Sequence, residues 1–227
     1  MNRIFFLFAA LVIADQAFAA GLADLSNQDA VAGLKEALTQ GSQAAVRRLG
    51  VENGFFGNER VKIPLPESLK KAEKVMRSVG MGRHADELVL RMNRAAEAAA
   101  PEAKALFVDA VKKMSVQDAK GILTGGDDAA TQYFKRTASA PLAQTFLPIV
   151  KQAMEKVKLA EAYDNYAGRA ARFGLLKGED ANLENYVTRK TLDGLFLVVA
   201  EEEKKIRHDP VGAASSIISK VFGALRQ

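Results

Sequence analysis

No cysteine occurs in the 227 residues of this chain. That excludes disulfides, a thiol nucleophile, a lipid-modified cysteine anchor and zinc sites built on thiolates. The fold must be held by its core, and a chain of this length buries roughly 70% of its unfolded surface. Histidine is almost as scarce. His84 and His208 stand far apart, with no H-x-x-x-H spacing, so no metal site is expected. A serine hydrolase would need one of them as base, and no G-x-S-x-G motif accompanies either. A Walker loop and a G-x-G-x-x-G after a strand are also missing, and no cofactor is expected. Beyond the first twenty residues no apolar run is long enough to span a bilayer, which takes about 20 residues. The longest, 194–200, is far shorter.

The first twenty residues are different. MNRIFFLFAALVIADQAFAA carries Arg3, an apolar stretch over 4–14 and then Ala17-Phe18-Ala19. A basic start, a short apolar centre and an A-x-A end describe a secretory signal peptide, with cleavage expected after Ala19. Asp15 and Gln16 cut the run short of a membrane span. The expected organisation is a signal peptide over 1–19 and one domain over 20–227. The protein is then periplasmic or secreted, with no transmembrane segment after cleavage and no nucleic-acid partner.

The rest reads as helix after helix. Ser26-x-x-Asp29 opens the first, and Gly50 ends it. Residues 50–66 are rich in Gly, Asn and Pro and form the long irregular loop. In it Phe55 and Phe56 are expected to plug into the core, and Val61 and Ile63 to run extended. Pro66 suits the first turn of a second helix to about Val79. A third covers about 83–100, and Pro101 starts a fourth. Ser115-x-x-Asp118 caps a short fifth. A sixth follows Gly125-Gly126, a seventh starts near Ser139 and Pro141, and an eighth covers 160–172. The longest is expected over 183–207. Its middle, LFLVVA at 195–200, is apolar on every side and belongs at the centre of a bundle. Asp209-Pro210 precedes a terminal helix. The fold class is all-α: a multi-helix bundle of about eight to ten helices around a central apolar C-terminal helix.

Three features carry the candidate sites. The net charge of +5 concentrates between Arg47 and Arg83, which hold nine Lys/Arg against four Glu. Lys70, Lys71, Lys74 and Arg77 on the second helix form the candidate contact surface, for anionic lipid or an acidic envelope partner. The bland account is a solvated face with Glu/Lys pairs. The second feature is TGGDDAATQYF at 124–134. Asp127 is expected to cap the helix that follows, a role worth about 1 kcal/mol. A cation held by Asp127 and Asp128 is the alternative. The third is Asp193, just before the apolar run. A buried carboxylate needs a partner. Arg189, Lys190, Arg91 or Arg94 would supply one, or Asp193, Asn93 and Arg94 would line a polar ligand pocket beside Gly194.

The blocks KIPLP (62–66), MNRAAEAAAPEAK (92–104), ILTGGDDAATQYF (122–134) and LDGLFLVVAEEEKKIRHDP (192–210) resemble the bacterial exported family catalogued as domain of unknown function 4197. The likeness runs, in order, along essentially the whole chain after the leader. It implies an envelope location and a shared helical fold, and no activity. The functional expectation is a non-catalytic binding or interaction module. The alternatives are a small-ligand or cation-dependent enzyme around Asp127 or Asp193, and a carrier of an apolar molecule.

Overall fold

Capping chemistry and helical periodicity set the elements. A computed structural model describes residues 26–174, 182–212 and 215–224; the leader lies outside them. The described residues form nine α-helices and one short 3-10 turn, with no strand. The helices are α1 (Asn27–Leu49), α2 (Glu67–Ser78), α3 (Arg83–Ala99), α4 (Ala103–Lys112), α5 (Val116–Leu123), α6 (Ala129–Lys156), α7 (Leu159–Ala171), α8 (Leu183–His208) and α9 (Ser216–Ala224). The fold is the all-helical bundle that the sequence implies.

Local signals act where they were read. Ser26 accepts from the Asp29 N–H at 3.0 Å and starts α1. Ser115 and Asp118 complete a reciprocal capping box at α5. At the end of α2, Gly80 takes φ +75°, so the Met81 N–H reaches the Met76 carbonyl at 2.7 Å and closes a Schellman turn.

Two expectations about the helices fail. The separate sixth and seventh helices are a single 28-residue helix, α6, with Pro141 and Pro148 inside it. It is also two residues longer than α8, which was expected to be the longest. An interior proline costs about 3 kcal/mol. Both prolines face solvent, while Ala130, Phe134, Leu142, Phe146, Val150 and Ala153 are buried on the other side. Burial of that continuous inner face outweighs the two missing N–H donors, which lie on the outer, more weakly bonded side.

The buried apolar side chains form one connected cluster. At its centre is α8, packed between α6 and α1. Leu195, Phe196, Val198 and Val199 are buried, and the Phe196 ring meets Phe107 edge-on at 5.4 Å. α9 lies on α1, close enough that a Cβ at Gly33 would sit 2.6 Å from Val221 Cγ2. α3 joins α6 and α7, while α2 is peripheral and meets α7.

The loop at 50–66 is wrapped onto this bundle by named bonds. Phe55 is fully buried; Phe56 is half-buried, with Lys62 and Arg94 over its ring. Val61, Ile63 and Leu65 point inward in alternation, an extended run that pairs with no strand. The Tyr186 hydroxyl donates to the Pro64 carbonyl at 2.9 Å, and Tyr166 donates to Leu69 at 2.7 Å. Burial pushes the Tyr166 phenol up to about 12, so it keeps its proton, and that bond, at neutral pH.

Gly194 makes room for this loop. A Cβ there would lie 2.6 Å from Phe55 Cε1. The ring is enclosed and cannot move aside, so Gly194→Ala is expected to cost about 2 kcal/mol by overpacking. Gly121 on α5 has nothing near its Cβ position. Gly121→Ala is expected to stabilise by up to about 1 kcal/mol through helix propensity. Thermal melts followed by circular dichroism check the opposite signs.

Candidate functional site

The turn between α5 and α6 is held from inside by α8. Asp128, not Asp127, occupies the N-cap position of α6, and its side chain makes no capping bond. The cap comes from Glu203, distant in sequence and 5% exposed. Its oxygens accept from the Ala130 N–H (3.0 Å), the Thr131 N–H (3.1 Å) and the Thr131 hydroxyl (3.2 Å). Arg207, one turn on, donates to Glu203 and also to the Ile122 and Leu123 carbonyls that end α5. One ion pair thus satisfies the donors opening one helix and the acceptors closing another. The expected Asp127 cap is corrected accordingly. A side chain at that residue lies outside the turn, and Glu203 already fills the donors.

Asp127 is instead 46% exposed by its side chain, 3.2 Å from Lys204 Nζ and 3.8 Å from His208 Nδ1. Among the described residues, no group of three or more His, Cys, Asp or Glu side chains is placed to hold a metal. Asp193 is exposed and does not enter the apolar interior. Two of the cationic partners proposed for it are occupied elsewhere: Arg91 pairs with Glu87, and Arg94 with Glu52 and Glu97.

Asn93 and Arg94, adjacent on α3, do different work from each other. Asn93 is fully buried. Its Oδ1 accepts from the Ile63 N–H at 2.8 Å, and its Nδ2 donates to the carbonyls of Ile63 (2.9 Å) and Val89 (2.7 Å). The side chain imitates a neighbouring strand for the loop. Four residues on, Glu97 Oε1 accepts from the Phe55 and Phe56 N–H groups, both at 3.0 Å. Its Oε2 accepts from Arg94 Nη1 at 2.6 Å. So Asn93, Arg94 and Asp193 do not share one pocket.

Arg94 does line a groove. With Arg91, Glu97, Glu52 and Lys156 it borders an open space of about 600 Å³ between the loop after α1, α3 and the end of α6. Lys156 and Glu52 were not singled out by the sequence, and Arg91 only as a partner for Asp193, because nothing local links residues 52, 91 and 156. Arg91 Nη1 donates to the Val157 carbonyl at 3.2 Å, which places its guanidinium at the end of α6.

The basic residues of α2 are arranged as an amphipathic helix requires. Leu69, Ala72 and Met76 are buried. Lys70, Lys71, Lys74 and Arg77 are all exposed on the opposite side. Lys70 pairs with Glu67, and Arg77 with Glu73 and Asp86. Lys71 and Lys74 have no acidic partner among the described residues. His84, just beyond, is pushed below the usual imidazole range by burial, with Arg169 and Arg83 adding to the shift.

No helix among the described residues is long and apolar enough to cross a membrane. No curated protein and no solved structure matches the chain. A family model does, over residues 24–223, and it covers the loop clamp, the turn held by Glu203 and the central helix together. The chain belongs to the family described as protein of unknown function (DUF4197).

Proposed function

We propose that this protein is an exported, non-catalytic binding module of the cell envelope, one helical domain behind a cleaved leader, and that it meets an anionic surface through the outer face of α2. One observation carries the reading. α2 is a peripheral helix whose inner face is committed to the core, while Lys71 and Lys74 on its outer face are left without acidic partners. Unpaired lysines on a fixed helix face attract anionic lipid headgroups, at about 1 kcal/mol each near such a surface. The buried ionisable groups support a non-catalytic reading. Glu97 and Glu203 are both occupied by backbone N–H groups and an arginine.

The enzyme alternative would need Asp127 or Asp193 buried, unpaired and facing a cavity. Both are exposed, and Asp127 pairs with Lys204. The apolar carrier would need an enclosed apolar hollow, and the larger spaces described are open grooves.

The test is co-sedimentation of the mature protein with vesicles of phosphatidylglycerol and phosphatidylcholine. Lys71→Glu/Lys74→Glu is expected to weaken binding by about thirtyfold or more at low salt, as two favourable charges become unfavourable. Its melting temperature should be unchanged, since neither lysine has a bond to lose. Equal binding by the double variant would remove α2 as the contact surface.

A further inference from the structure

We propose that the groove beside Arg94 is a binding site for a small amphiphilic monocarboxylate, distinct from the lysine face of α2. The groove, about 600 Å³, has the size of a small-molecule site. Its charged end is built around one preorganised guanidinium. Arg94 Nη1 is fixed on the buried Glu97 carboxylate, and Phe56 lies under the guanidinium at 5.9 Å. Nη2 points the other way, to Glu52 Oε1 and Asn53 Oδ1, both at 3.0 Å.

The two carboxylates on Arg94 are not equivalent. Glu97 holds two backbone N–H groups and cannot leave. Glu52 is 78% exposed and is held by an ion pair of the weak surface kind. A ligand carboxylate can take its place on Nη2 as a charge-assisted acceptor. Lys156, which has no acidic partner among the described residues, stands on the same groove and adds a second attraction. The charge balance favours a single negative group. Arg91, Arg94 and Lys156 face Glu52 and Glu97, with Glu87 behind Arg91. Displacing Glu52 leaves room for one carboxylate, not for a polyanion. The remaining wall is apolar: Val51, 55% exposed, with Leu90, Ala98 and Val157. An aliphatic body lying there would cover Val51, one of the few large apolar side chains left in water.

The test is a titration of the labelled mature protein with octanoate below its micelle concentration, read by amide NMR shifts at Gly50, Val51 and Ala98. Octan-1-ol and acetate are run beside it. Octanoate is expected to bind about tenfold or more tighter than either, because each control lacks one half of the recognition. Glu52→Gln removes the internal competitor and is expected to tighten octanoate binding about threefold. Lys156→Glu is expected to weaken it by a similar factor. Both positions are on the surface, so folding is retained. Absence of saturable shifts at the groove, equal binding of octanoate and octan-1-ol, or weaker binding by Glu52→Gln would each overturn the assignment.

Discussion

Glu203→Ala is expected to lower stability by about 4 kcal/mol, a fall of roughly 12 °C in melting temperature for a chain of this size. The loss has two parts. The N–H groups of Ala130 and Thr131 lose their acceptor in a dry site. Arg207, whose side chain is 10% exposed, keeps its charge with the Ile122 and Leu123 carbonyls and the Phe222 ring left to meet it. Breaking one side of a buried pair is costly for that reason, whatever the pair itself is worth. Glu203→Gln can keep an oxygen for Arg207 and the Ala130 N–H but then turns its amide NH2 toward the Thr131 N–H, so about half of the loss is expected. Asp127→Ala and Asp128→Ala, by contrast, should each change stability by no more than about 0.5 kcal/mol, as exposed sites do. Chemical denaturation of the four variants separates a turn capped by its own aspartates from one capped by α8. A larger loss at Asp127 than at Glu203 would reverse the assignment.

Asn93→Leu is the second large effect, at about 3 kcal/mol. Leucine fits the volume but has no polar atom, and the buried Ile63 would lose partners for both its N–H and its carbonyl. Each unsatisfied group costs about 1–3 kcal/mol. The damage should be local in kind. Native-state hydrogen exchange is expected to show the Ile63 amide losing protection well before the amides of α8, since the loop has few bonds left to hold it. Uniform loss across the bundle would mean that Asn93 supports α3 itself, not the loop.

These two residues also show where sequence reading stops. Bonds between near neighbours are legible: Ser115 with Asp118, Ser26 with Asp29, and the apolar run of α8 were all readable from spacing. Glu203 caps residues more than seventy positions away, and no local rule reaches that far. One signal was there. Glu203 falls four residues after Val199 and seven after Phe196, on the buried stripe of α8, although the EEEKK around it reads as a solvent face. Glu97 likewise follows Asn93 by four on the inner side of α3. A carboxylate on a buried stripe predicts a bond to backbone or arginine, whereas Asp127 and Asp193 drew notice through conspicuous neighbours and lie in water. The prolines of α6 misled for the opposite reason. Their local cost is real, and a tertiary contact that the sequence does not display overrides it.

The envelope-binding account depends on α2 above everything else, and it is open to one direct observation. Amide NMR spectra of the mature protein, taken with and without small anionic bicelles, report which residues meet the lipid. The account predicts selective broadening over Glu67–Ser78, abolished by salt and absent with zwitterionic bicelles. Broadening centred on another helix, or none at all with the anionic lipid, would contradict it.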